Sequence, residues 1–122
     1  MAGKIILTVD DSKTMRDMLL AALTEMGHRV IQADDGMRGL ERLQEQSPDV
    51  IITDINLPRL DGFGFIEEVR RDPRHRATPI LVLPTEAHTS RTDRARRAGA
   101  TGWIVKPFDP AKLADAIRRV TA

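Results

Sequence analysis

The sequence predicts an α/β fold in which a five-stranded parallel sheet carries five helices on its two faces. Three observations predict it. Strand-like and helix-like segments alternate five times along the 122 residues. Four of the strand-like runs are short and apolar at nearly every position, as strands covered on both faces are. Right-handed crossovers between such strands then produce one parallel sheet with helices on both sides.

Residues 4–9 are β-branched and apolar and stop at Asp10-Asp11, so they read as a buried first strand. Ser12 is placed to cap the next helix, in which Met15, Met18, Leu19, Ala22, Leu23 and Met26 recur at helical spacing until Gly27 ends it. The methionines of this helix read as core. Residues 30–33 form a second strand closed by Asp34-Asp35-Gly36; Met37, Leu40 and Leu43 mark a second helix that stops before Ser47-Pro48. Val50–Thr53 is the most apolar strand and ends at Asp54. A loop over residues 55–61 leads to a helix over Gly62–Arg71, with Phe63, Ile66 and Val69 as core contacts. Residues 79–83 are the fourth strand, residues 91–98 the fourth helix ended by Gly99, and residues 102–105 the fifth strand, broken by Lys106-Pro107. Asp109-Pro110 then opens the last helix as N-cap and first helical residue, with Leu113, Ile117 and Val120 facing inward.

Residues 1–122 fit one domain, with no room for an output domain, and a chain of this length buries roughly two-thirds of its unfolded surface. There is no cysteine, so disulfides and thiolate metal sites are excluded. The N-terminus lacks a signal-peptide apolar core and no run is long enough to span a bilayer, which points to a cytoplasmic protein without membrane partners. A net charge of +1 argues against nucleic-acid binding by charge. Arginines cluster late, at Arg91, Arg94, Arg96, Arg97, Arg118 and Arg119. They suit either solvated helix faces or a docking surface for an acidic partner segment. His28, His75 and His88 have no metal-ligand spacing and are expected to be exposed; none suits a phosphorelay role.

In an open parallel sheet, ligands bind beyond the carboxyl ends of the strands. Here strand one ends in Asp10 and Asp11, strand three in Asp54 and strand five in Lys106. Converging carboxylates repel one another, and a hard divalent cation such as Mg²⁺ relieves that repulsion. One carboxylate then remains to attack phosphorus while Lys106 pairs with phosphoryl oxygens. Together these are the parts of an aspartyl-phosphate site. Taken singly, Asp10-Asp11 suits a turn and helix cap, Asp54 a solvated loop, and Lys106 a strand terminator; the joint placement is what points to chemistry.

With these residues in view, the whole chain resembles the response-regulator receiver family, and within it the CheY-like chemotaxis regulators, whose fold is flavodoxin-like. The resemblance is carried by Val9-Asp10-Asp11-Ser12, by Thr53-Asp54-Ile55-Asn56-Leu57-Pro58 with Asp61-Gly62, and by the run from Gly99 through Lys106-Pro107-Phe108. It implies that Asp54 is the phosphoacceptor, and that Asp11, Asp54 and the backbone carbonyl of Asn56 ligate Mg²⁺, with Asp10 acting through a metal-bound water. It implies that Lys106 pairs with Asp54 or its phosphoryl group, that the Lys106–Pro107 bond is cis, and that Trp103 is the switch aromatic.

One position departs from the family pattern. The Ser or Thr expected at the end of strand four is Pro84, which has neither a hydroxyl nor an N–H. Either the neighbouring Thr85 supplies the hydroxyl, or the phosphoryl group loses a hydrogen bond worth roughly 1.5–3 kcal/mol for a charged acceptor. Phosphorylation then survives with weakened coupling to Trp103.

The resemblance further implies a CheA-like histidine kinase as phosphoryl donor and a monomeric, non-enzymatic switch. Its exit surface would include Arg94, Arg97, Trp103 and Lys112, and its target would be the flagellar motor switch or another downstream protein. Three alternatives stand beside this: a phosphate sink or relay, a degenerate receiver that only docks, and a hydrolase of the haloacid-dehalogenase type. The last wants Asp-x-Asp after strand one, where this chain has Asp10-Asp11-Ser12.

Overall fold

A computed structural model describes residues 3–121. The elements follow in the order β1 (Ile5–Val9), α1 (Lys13–Glu25), β2 (Arg29–Ala33), α2 (Gly36–Glu45), β3 (Val50–Thr53), α3 (Gly62–Arg71), a 3₁₀ turn (Pro73–His75), β4 (Ile80–Val82), α4 (Ser90–Ala98), β5 (Gly102–Trp103) and α5 (Pro110–Thr121). The strands form one parallel sheet in the order β2-β1-β3-β4-β5.

Strand residues alternate between two apolar cores. Leu7, Val9, Ile51, Ile80 and Val82 point to the face covered by α2, α3 and α4, where Leu43, Phe63, Phe65, Ile66, Val69 and Ala95 meet them. Ile6, Val50, Ile52, Leu81 and Leu83 point to the face covered by α1 and α5, against Leu19, Leu23, Leu113 and Ile117. Burial on both faces is why the strands read as continuous apolar runs.

Local capping agrees with the sequence. Met15 N–H donates to Ser12 Oγ at the start of α1, and Ala111 N–H donates to Asp109 Oδ1 at the start of α5. Gly99 ends α4 at φ +124°, and a Cβ there would lie 2.7 Å from Arg70 Cγ. Arg70 is a hub that the sequence did not announce. Its half-buried guanidinium donates to the carbonyls of Gly99, His75 and Thr78 at 3.0, 2.7 and 2.7 Å, joining α3 to the 3₁₀ turn and to the end of α4. Burial lowers its pKa from the ordinary arginine value.

Several expectations are corrected. Met18 lies on the solvent side of α1 at 44% exposure, so only Met15 and Met26 of that helix pack against the core. The fifth strand spans only Gly102–Trp103, with Ile104 buried and Val105 exposed beyond its end. His88 is exposed as expected, but His28 is half-buried, its Nδ1 accepting from Lys4 N–H at 3.0 Å. His75 is 1% exposed, with Nδ1 3.2 Å from Thr78 Oγ1 and a buried, unpaired Nε2. The burial comes from the 3₁₀ turn folding back beside α3, where Arg70 holds the His75 carbonyl, and nothing in the local sequence signals it.

Desolvation lowers the His75 pKa, with Asp72 opposing and Arg74 and Arg70 reinforcing the shift. The fold therefore favours the neutral ring. Its contribution is fully present above the unfolded value of about 6.5 and is lost as pH falls from there through the depressed folded value. We expect the urea midpoint to decline over that interval, and His75→Phe to flatten the decline; an unchanged slope in the variant would show that other groups govern it.

Candidate functional site

The sheet's hydrogen bonding carries the functional residues to one edge. Asp10 N–H donates to Ala33 O and Asp54 N–H to Val9 O, so both residues continue their strands by one step. Likewise Leu83 N–H donates to Thr53 O, Ile104 N–H to Val82 O and Lys106 N–H to Pro84 O. Asp10, Asp54, Pro84 and Lys106 thus occupy neighbouring carboxyl ends at the point where the chain, having placed β2 on one side of β1, crosses to β3 on the other. In sheets of this type that crevice is the ligand-binding position.

The Lys106 ammonium lies 3.1 Å from Asp54 Oδ2 and 3.3 Å from Asp10 Oδ2. Asp54 Oδ1 accepts from Ile55 N–H at 2.7 Å, and Asp10 Oδ1 accepts from Ser12 N–H at 2.9 Å. Asp10 is fully buried, and its Oδ2 makes no hydrogen bond: the geometry toward Lys106 is that of an ion pair alone. Burial raises the Asp10 pKa, the Ser12 N–H opposes, and the charge of Asp54 raises it further, against the pull of Lys106. Burial alone would lower the Lys106 pKa, but the ion pairs with Asp54 and Asp10 outweigh it and raise the value.

The loop between β3 and α3 is fixed at several points. Ile55 and Leu57 are buried, and Arg59, at φ +65°, forms a two-point ion pair with Asp35 at 2.8 and 3.1 Å. That pair holds the Asp35 carboxyl below its ordinary range, helped by the N–H of Arg38. Gly62 packs so closely that a Cβ would lie 2.4 Å from Asp54 O. The Lys106–Pro107 bond is cis.

Asp10, Asp11 and Asp54 each bring a carboxylate oxygen within 4.8 Å of the others, with Asp11 exposed and the other two buried. Three hard oxygen donors, one of them an unbonded buried oxygen, fit a divalent cation such as Mg²⁺. Thr85 lines a cavity of about 250 Å³ with Asp54, Asn56, Pro84 and Lys106. Pro84 is buried, while Thr85 is exposed. Arg91, absent from the sequence-derived site, lines the same cavity from the first turn of α4.

The expected exit surface divides in two. Trp103 and Lys112 line one groove beside α5. Arg94 instead sets its guanidinium 4.2 Å from the Phe63 ring centre, toward α3, and Arg97 is exposed on α4. Half-buried Trp103 meets the His88 ring edge-on at 5.3 Å, and the Arg96 guanidinium lies 4.9 Å from its centre. Arg96 and His88 were visible only as members of a basic cluster and a polar loop.

Residues 6–118 match the model of the response regulator receiver domain. The chain is 35% identical over 116 residues to a probable chemotaxis protein CheY of Rhizobium etli, covering 94% of this chain and 90% of that one. Its structure is similar to chemotaxis response regulator CheY4 of Vibrio cholerae, at 39% identity and TM-score 0.93 over 98% and 99% of the two chains. It is also similar to the receiver domain of sensor histidine kinase PA1611 from Pseudomonas aeruginosa, solved with a magnesium ion in its active-site cleft, at 31% identity and TM-score 0.91 over 98% of each.

The electrostatics of the cleft predict opposite effects on stability and metal affinity. Because folding disfavours ionised Asp10, Asp10→Asn should stabilise the metal-free protein at neutral pH by on the order of 1 kcal/mol. It should also weaken Mg²⁺ binding about tenfold or more. Thermal unfolding with and without Mg²⁺ measures both, and a variant destabilised in both conditions would contradict the repulsion argument.

Proposed function

The chain belongs to the response regulator receiver domain family, and on that premise we propose that it is a single-domain regulator phosphorylated on Asp54 by a histidine kinase. The observation that carries this reading is the buried Asp54 carboxylate at the end of β3, paired with Lys106 at 3.1 Å and grouped with Asp10 and Asp11.

In the forward step an Asp54 carboxylate oxygen bonds to phosphorus as the bond from phosphorus to the donor's histidine nitrogen breaks. The electron pair leaves with the imidazole, which takes a proton from water, and an acyl phosphate results. Lys106, already beside Asp54, shifts its charge toward the incoming phosphoryl oxygens and remains within reach of Asp10. Asp10, Asp11, Asp54 and the carbonyl of Asn56 would hold Mg²⁺, which when bound offsets the negative charge gathered on carboxylates and phosphoryl oxygens. The Ile55 N–H holds the carboxylate in place. In the reverse step water attacks phosphorus, the bond to Asp54 breaks, inorganic phosphate departs and the carboxylate is restored.

The protein acts in the cytoplasm, and its similarity to chemotaxis regulators supports a CheA-like kinase as donor and the flagellar motor switch as target. The groove holding Trp103 and Lys112 is the surface that target would meet. Thr85, next to Pro84 on the cavity wall, is the hydroxyl that would stand in for the one Pro84 lacks. Pro84 favours a second reading, a module that docks without phosphorylation; a phosphate sink would use the same residues as the switch.

Acetyl phosphate with Mg²⁺ should produce a single phosphoryl adduct by intact mass, absent without Mg²⁺ and absent in Asp54→Asn. Lack of an adduct on the wild-type protein would favour the docking reading. Coupling is tested separately. The change in Trp103 fluorescence on adding a phosphoryl mimic should be small, and Pro84→Thr should enlarge it several-fold, since the regained bond is worth roughly 1.5–3 kcal/mol. A wild-type response as large as the variant's would show that Pro84 does not weaken the switch.

A further inference from the structure

This inference rests on the reading of Asp54 as phosphoacceptor and deepens it. Two cations line the cavity above Asp54: Lys106, from the end of the sheet, and Arg91, from the first turn of α4. Lys106 is committed to Asp54 and Asp10. Arg91 is committed to no carboxylate among the described residues. Its Nη2 donates to the side-chain oxygen of Asn56, a neutral amide two residues from Asp54, and its Cζ lies 5.6 Å from the Phe63 ring centre. The exposed Arg91 therefore lines the cavity with its charge unpaired among the described residues and with donors beyond the one given to Asn56.

The rest of the rim offers a phosphoryl group little else. Pro84 offers no hydroxyl, and Glu86, on the same wall, repels a phosphoryl dianion. A planar guanidinium with several parallel N–H donors matches phosphoryl oxygens better than it matches a single amide oxygen.

We infer that Arg91 is the second phosphoryl clamp of this protein: when Asp54 carries a phosphoryl group, the Arg91 guanidinium leaves Asn56 Oδ1 and hydrogen-bonds a phosphoryl oxygen from the α4 side of the cavity. Because Arg91 belongs to α4, this transfer pulls on the first turn of the helix whose Arg94 rests on Phe63, apart from the route to Trp103 that Pro84 weakens. Phosphorylation thereby reaches the α4 surface by charge and does not depend on a hydroxyl moving at the end of β4.

The test is a calorimetric titration of beryllium fluoride, a phosphoryl mimic, into Mg²⁺-saturated wild-type protein, Arg91→Ala, Arg91→Lys and Asp54→Asn, with Mg²⁺ alone titrated into each. Arg91→Ala should weaken fluoroberyllate about tenfold, the loss of one charge-assisted bond, and Arg91→Lys should recover part of it. Mg²⁺ affinity in Arg91→Ala should be unchanged or slightly tighter, because a cation has left the metal's vicinity. Equal loss of both ligands would mean a structural role and overturn the inference. Wild-type fluoroberyllate affinity in Arg91→Ala, with none in Asp54→Asn, would overturn it while leaving Asp54 as phosphoacceptor. No fluoroberyllate binding to the wild-type protein would overturn both.

Discussion

One ammonium group shared by two buried carboxylates governs this molecule. Lys106 reaches Asp10 and Asp54 together and so ties the ends of β1, β3 and β5 at a single point. Removing three ionised groups from water is costly, and the attraction among them repays that cost only in part. The cluster holds three carboxylates against one lysine, with one buried oxygen left unbonded. It is an imbalance of the kind that a divalent cation offsets, and the apolar remainder of the domain has to stabilise it in the metal-free protein.

That remainder is a sheet buried on both faces and pinned at its margins. The ion pair between Asp35 and Arg59 holds the loop beside Asp54, and the close approach of Gly62 fixes where α3 begins. At the opposite end of α3, Arg70 gathers three carbonyls from segments that carry no regular partner. The carboxyl edge of the sheet can carry electrostatic repulsion because its backbone is held by the strand ladder and these anchors, independently of the charged side chains.

The output side obeys different physics. Trp103 is neither buried nor free: His88 meets its edge and Arg96 covers its face. Arg94 stacks similarly on Phe63, so two arginines of α4 lie over aromatic faces, and neither forms an ion pair among the described residues. Cation–aromatic contacts at half-exposed sites are worth about 0.5–1 kcal/mol each. Contacts of that size are small enough to be exchanged when the charge in the neighbouring cleft changes.

Much of this was legible in the sequence, for physical reasons particular to each element. Continuous apolar runs such as Val50–Thr53 specify doubly covered strands, Ser12 and Asp109 mark helix starts, and the carboxylates at two strand ends with the lysine at a third name the cleft. Side-chain direction on a helix was less legible, because Met18 and Leu19 are neighbours in sequence and only the packing partner decides which is buried. The burial of His75 and the three-carbonyl hub at Arg70 depend on loops folding back, which no local pattern encodes. The sequence by itself determined the alternation of strands and helices and the chemical types at the sheet's edge, since both are written in periodicity and turn residues. Only the tertiary structure decided that Lys106 serves Asp10 as well as Asp54, that Arg96 rather than Arg94 covers Trp103, and that Arg91 enters the cleft. Those outcomes depend on distances of a few ångströms between residues far apart along the chain.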